Sequence, residues 1–235
     1  MPSAESTPAA NRLLTSLTAA DRKHFMAACE PVELMFAEIL AEPRETMRHV
    51  YFPTGSFISL VSSGDGRDNL EVALLGSEGM LGVTLILGVD ESPLHALVQG
   101  AGSALRMETA QFARELESMP ALGRVLRRYL YVLTGQLAQT AACSHFHVVE
   151  ARLARCLLMT QDRAHADHFH VTHEFLAYKL GVRRVGITTA AIALHNRKLI
   201  DYSRGEVTIL DRAGLEAASC GCYEADNASY ARVMG

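Results

Sequence analysis

The chain has 235 residues, 49% hydrophobic and 20% charged, with a formal net charge of −4. That balance can fill one large core or two modest ones and excludes a disordered chain. The longest apolar runs, such as Val83–Leu87, fall far below the ~18 residues a membrane-spanning helix needs. The five cysteines, at 29, 143, 156, 220 and 222, are odd in number and irregular in spacing, which excludes a disulfide framework and makes the cytoplasm the default compartment.

The charge is unevenly spread. Residues 1–119 carry 8 Lys/Arg against 16 Asp/Glu, net −8. Residues 120–149 hold Arg124, Arg127 and Arg128 with no acid, and residues 176–205 hold Lys179, Arg183, Arg184, Arg197, Lys198 and Arg204 against Asp201 alone. An acidic N-terminal part and a locally basic C-terminal part point to a division of labour in which the basic end meets phosphate.

In chain order, the opening MPSAESTPAANR has no basic start before an apolar core and reads as a mobile tail rather than a signal peptide. Residues 12–27 read as short helices, with Thr18 as an N-cap. From about 32 to 110 short apolar runs alternate with turns: Ser56–Val61, then SSGDGRDN, then Leu70–Leu75, with strand texture resuming over Ala96–Met107. SSGDGRDN between apolar runs is a hairpin signal, because Gly and Asp tolerate positive φ. Many short strands with regular turns indicate a β-sandwich or small barrel.

Thr109 is placed to cap a helix over Ala110–Glu117, and Pro120 opens a helix running to about residue 148. Some 28 helical residues would span roughly 42 Å. Leu122, Leu126, Tyr129, Leu133 and Gln136 follow 4-3-4-3 spacing, a narrow seam that needs a partner. The partner is either the chain's own β domain or, as preferred from the pattern, a second copy.

Glu150–Gln161 reads as an apolar helix with Arg152 and Arg155 outward, followed by the polar loop DRAHADHFH. Thr172 caps His173–Leu180, with Glu174 in the favourable first turn. Gly181 breaks the chain, residues 182–199 form the next helix, and Ile200–Ser203, Arg204-Gly205 and Glu206–Leu210 form a hairpin wing. A helix, a glycine-centred turn, a helix and a wing make a winged helix-turn-helix, whose second helix fits the major groove. Ala177, Leu180, Val182, Ile187, Ala191, Leu194 and Leu199 form its expected core, leaving Arg183, Arg184, Thr188 and Thr189 facing out.

The stretch THEFLAYKLGVRRVGITTAAIALHNRKLIDYSRGEVTILDRAGLE resembles the C-terminal domain of the CRP/FNR superfamily of bacterial transcription regulators. The resemblance is strong over 149–218 and looser over 30–148. It implies an α+β chain: a cyclic-nucleotide-binding-like β jelly roll over 1–118, a dimerisation helix over 119–148, a winged helix-turn-helix over 149–218 and a C-terminal tail over 219–235. It implies a homodimer on a two-half-site DNA operator and no enzyme activity. The implied partners are double-stranded DNA, RNA polymerase and an unidentified small-molecule effector, with no membrane. Arg184 falls where the family places a guanine-reading arginine, whose planar fork suits O6 and N7. Val185 stands where many members have an acidic base-reading residue, and Thr189 where many have a second arginine, which implies a different target sequence. Thr188 and Thr189 would touch a phosphate or a thymine methyl. Thr172, Lys179 and Arg204 are phosphate candidates, and His173 stands at a common glutamine position, able to donate to a phosphate.

For the sensor region, GMLGVTLILGVDESPLHALV aligns with the cyclic-AMP-binding stretch of the family. Val83 falls at the glutamate position, and Pro93 or Ser92 at the arginine position. A buried phosphate with no cation would be costly, so cyclic AMP is not the expected effector. Only Cys29 lies in the N-terminal region, too few for an iron–sulfur cluster there. His24, His49 and His95 are conceivable haem ligands that read better as surface or core histidines. The spacing H-x-x-H-x-H-x-x-H at His165, His168, His170 and His173 could bind zinc or nickel but reads first as a polar loop. Cys220-Gly221-Cys222 is a redox pair, half a metal site or two structural thiols, while Cys143 and Cys156 read as helix packing. No cofactor or metal is therefore expected. The competing readings are a metal- or thiol-dependent sensor or enzyme using the histidine loop and the Cys-x-Cys pair, and a small-molecule-binding barrel whose winged helix only contacts protein. No HExxH, GxSxG, P-loop or dinucleotide fingerprint favours an enzyme.

Overall fold

The computed structural model describes residues 10–64 and 69–235. The chain divides into two compact units, Met1–Ile58 with Leu75–Leu130 and Ser59–Leu74 with Tyr131–Gly235. It opens on helices α1 (Arg12–Thr15) and α2 (Ala19–Ala27). Thr18 caps α2 as expected, its hydroxyl accepting from the Asp21 amide at 3.2 Å.

Seven strands follow: β1 (Glu30–Leu34), β2 (Ile39–Ala41), β3 (His49–Pro53), β4 (Phe57–Ser63), β5 (Asn69–Leu75), β6 (His95–Gly100) and β7 (Gly102–Glu108). They form one sheet in the order β1-β7-β3 and another in the order β2-β6-β4-β5. The pairings of β1 and β3 with β7 and of β2 with β6 are antiparallel. Of the expected SSGDGRDN turn, residues 65–68 lie outside the described residues. Phe25, Phe52 and Phe112 meet edge-on or tilted at the centre of the first unit's core.

Helix α3 (Thr109–Ser118) starts one residue earlier than the sequence suggests. Glu108 occupies its N-cap without a side-chain bond, and the Thr109 hydroxyl instead donates to the Met47 carbonyl at 2.5 Å. Helix α4 (Pro120–Phe146) is the expected long helix. Its 4-3-4-3 seam does not face out: Leu122, Leu126, Tyr129 and Leu133 are all buried within the protein's own chain. The spacing identifies an apolar stripe but not what covers it, and here the chain covers its own.

The second unit continues with α5 (Val149–Ala164), β8 (His168–His170), α6 (His173–Leu180), α7 (Arg184–Asn196), β9 (Ile200–Ser203), β10 (Glu206–Ile209), α8 (Arg212–Ala218) and α9 (Cys222–Met234). Leu153, Leu157, Leu176, Ile187, Ala191, Leu194, Leu199, Val207 and Leu215 share one core. Of the expected core, Leu180 and Val182 are only partly buried.

Three local readings change. Part of the polar loop is a strand, β8, which pairs with β10 and makes a three-stranded wing. Arg152 and Arg155 are buried rather than outward. Arg152 donates to the Leu180 carbonyl, and Arg155 pairs with Asp226 at 2.7 Å, so each buried guanidinium has a partner. The C-terminal tail contains helix α9, and its buried Cys222, Tyr223 and Asp226 are the reason it is held. Among the described residues, no helix is long and apolar enough to cross a membrane.

Candidate nucleic-acid interface

Local chemistry sets the geometry of α6 and α7. The Thr172 hydroxyl accepts from the Phe175 amide at 3.1 Å and caps α6. Gly181 ends α6 in the left-handed region at φ 60. A side chain there would be strained, so glycine sets the turn into α7. At the wing tip, Arg204 and Gly205 both take positive φ, 53 and 86, which reverses the chain between β9 and β10.

Helix α7 begins at Arg184, with Arg183 as its N-cap, two residues later than the sequence suggests. No side chain caps it, so its first amides and the positive end of its dipole are left to another group. Ile187, Ala190, Ala191 and Leu194 anchor the helix. Arg183, Arg184, Val185 and Thr189 are exposed, and Val185 reaches 68%. Thr188 and Thr189 donate their hydroxyl protons to the carbonyls of Arg184 and Val185, one turn back. Each therefore presents a methyl and an acceptor rather than a free donor. Thr172 and Arg204 are also exposed.

Two predicted phosphate contacts need revision. Lys179 is 1% exposed and pairs with Glu71 at 3.1 Å, so it cannot present its ammonium to a phosphate. Burial alone would lower the Lys179 pKa, but Cys156 and Glu71 more than offset it and hold the ammonium charged. His173 stacks on Tyr202 with ring centroids 4.1 Å apart, and its Nδ1 lies 3.1 Å from the Thr188 hydroxyl oxygen. Because that hydroxyl donates to Arg184, the hydrogen bond assigns the proton to Nδ1. Nε2 is buried without a hydrogen-bond partner. His173 thus positions α7 through Thr188 and Tyr202 and has no donor to offer a phosphate.

Burial, and secondarily the charge of Arg184, hold the His173 pKa below the ordinary histidine value of 6.5. A proton-by-proton NMR titration will place the His173 midpoint below 6.5, and Arg184→Ala will move it upward while leaving it depressed. A depressed histidine favours the native state fully above its unfolded pKa, and this contribution is lost as pH falls through the folded pKa. The unit containing α6 and α7 will therefore lose stability on acidification below that value.

The other histidines are not gathered into one site. His168 and His170 on β8 both pair with Glu206, at 3.0 and 2.8 Å, while His165 forms the left-handed cap of α5. In the first unit His24 pairs with Glu115 and His95 with Glu42, and His49 packs edge-on to Tyr51. The fold instead assembles a different cluster, Cys143, His147, Cys220 and Cys222. The i,i+4 spacing of Cys143 and His147 was the available signal, but nothing local links them to a Cys-x-Cys pair more than seventy residues later.

A capped helix, a left-handed glycine turn, a second helix exposed at its first turn and a three-stranded wing define a winged helix-turn-helix. Residues 151–218 match the Crp-like helix-turn-helix domain. Three solved structures have similar folds. FixK2 from Bradyrhizobium japonicum is 14% identical, with 82% of this chain and 98% of that chain covered at a TM-score of 0.69. The c-di-GMP responsive global regulator CLP from Xanthomonas campestris is 14% identical, with 81% and 98% covered at 0.67. A CRP-family transcriptional regulator from Thermus thermophilus is 18% identical, with 80% and 96% covered at 0.65. No curated protein matches the chain in sequence. The protein is a CRP/FNR-type regulator by its fold and by its helix-turn-helix domain.

Proposed function

We propose that the protein is a homodimeric, sequence-specific DNA-binding regulator of transcription, acting on an operator of two half-sites and not as an enzyme. The observation that carries this reading is the uncapped, exposed first turn of α7 with Arg183 and Arg184 at its head. A cationic helix N-terminus is built for the floor and walls of a major groove. Arg184 reads guanine, Val185 and the Thr188 and Thr189 methyls contact thymine methyls, and Thr172, Arg183 and Arg204 hold phosphates. An exposed valine in place of an acid favours an operator unlike those read through a carboxylate. The effector is not cyclic AMP, since Val83 and Ser92 or Pro93 stand where a glutamate and an arginine would be needed. RNA polymerase is the expected protein partner, and the chain works in the cytoplasm.

The dimer uses a different stripe of α4 from the buried one. Arg127, Tyr131, Thr134 and Ala138 repeat at 4-3-4 spacing and are exposed, Tyr131 to 61%. The test is fluorescence anisotropy on duplexes recovered by genome-wide mapping of bound DNA, with mass by light scattering. Expected is a dimer whose affinity falls steeply and log-linearly with salt. Salt-insensitive or absent binding, or a monomer on DNA, sinks the reading.

A further inference from the structure

We infer that Cys143, His147, Cys220 and Cys222 form a mononuclear zinc site that clamps the C-terminal helix α9 onto the end of the long helix α4. Neither the fold nor the interface described above requires this site, and the inference stands independently of the proposed function.

The four side chains converge from two segments. Cys143 and His147 are one helical turn apart at the end of α4, where the His147 amide still bonds the Cys143 carbonyl at 3.2 Å. Their side chains therefore share a face. Cys220 and Cys222 flank Gly221 at the start of α9, and the helical backbone of Gly221 makes a tight turn between them. All three cysteines are buried, and His147 is half-buried.

The ligand atoms are already close. The Cys143 and Cys220 sulfurs are 3.5 Å apart, the Cys222 sulfur is 3.4 Å from His147 Nδ1, and all four ligand atoms lie within 4.8 Å of one another. Zinc–sulfur bonds of about 2.3 Å at a tetrahedral centre separate two sulfurs by roughly 3.8 Å, and a sulfur from a nitrogen by roughly 3.5 Å. The observed spacing is that of a tetrahedron about a single ion. A two-iron, two-sulfide cluster places its ligands on two separate irons and needs the pairs farther apart than this set allows. Three thiolates and one imidazole make a closed set, with no position left for water or substrate, which is the pattern of a structural rather than a catalytic zinc.

The surroundings suit the charge. Three thiolates, a neutral imidazole and Zn²⁺ carry a net charge of −1. Arg155, paired with Asp226 on α9, lies within electrostatic reach of Cys143 and Cys220, as does Arg152. The Gln139 amide donates to the Cys222 sulfur at 2.9 Å, as second-layer donors do for bound thiolates. On binding, the three thiols release their protons to solvent and three zinc–sulfur bonds form, so no electron moves and no oxidant is needed.

The test is metal analysis of the full chain purified anaerobically, with cobalt(II) titration of the metal-free form. Expected are one zinc per chain, cobalt spectra with thiolate charge-transfer and tetrahedral ligand-field bands, and faster hydrogen exchange in α9 after chelation. Cys222→Ser and His147→Ala will lose the zinc and the cobalt spectrum. Cys29→Ser, outside the cluster, will keep both. A reduced native chain that takes up neither metal overturns the site, as does zinc content unchanged in Cys222→Ser. A brown protein containing iron and sulfide overturns the assignment to a single zinc ion.

Discussion

Arg184→Ala will abolish discrimination between operator and random duplex while leaving the fold intact. Arg184 is exposed at the first position of α7 and contributes nothing to the apolar core, so its loss does not disturb Ile187, Ala191 or Leu194. A bidentate arginine–guanine contact carries about 1–3 kcal/mol of discrimination. With two half-sites, the operator's advantage will fall by roughly 30-fold to several thousand-fold. Arg204→Ala is the contrast. At the wing tip it can reach only backbone, so both duplexes will weaken alike and the salt slope will drop by about one. Anisotropy titrations of the two variants on both duplexes, at two salt concentrations, separate these outcomes. Equal losses on both duplexes for Arg184→Ala would remove it from the reading face.

The parts of this interface legible in the sequence are those whose cause is local. Thr172 caps because a threonine hydroxyl can reach an amide three residues on, and Gly181 turns because only glycine enters the left-handed region freely. Both follow from a few adjacent residues. The failures share the opposite cause. The stripe through Leu122, Leu126, Tyr129 and Leu133 announces burial but not its partner, and the chain itself covers it. Arg152 and Arg155 look like the polar face of a helix, because Leu180 and Asp226, which satisfy them, lie far along the chain. The Cys-x-Cys pair looks incomplete because Cys143 and His147 reach it only through tertiary folding. The histidine loop misleads in the other direction: its close spacing hides that β8, the cap of α5 and helix α6 send the rings to different places.

Lys179→Ala will damage the fold rather than the DNA contact. The ammonium is fully buried, 3.1 Å from one oxygen of Glu71, and the Ser59 hydroxyl donates to the other oxygen at 2.5 Å. Lys179 also lies 5.9 Å from the centre of the Phe175 ring. Removing one partner of a buried pair strands the other charge and costs about 3–5 kcal/mol. For a chain of this size that corresponds to a melting temperature lower by roughly 6–20 °C. Neutralising both ends tests the cause. Lys179→Met with Glu71→Gln leaves no stranded charge, and calorimetry will show most of the lost stability recovered. Measured below its melting transition, the folded Lys179→Ala chain will keep the native salt slope on DNA, because no phosphate contact has gone. If instead Lys179→Ala melted like the native protein and weakened every duplex with a salt slope reduced by about one, the lysine would be a phosphate contact and the buried pair with Glu71 would be wrong.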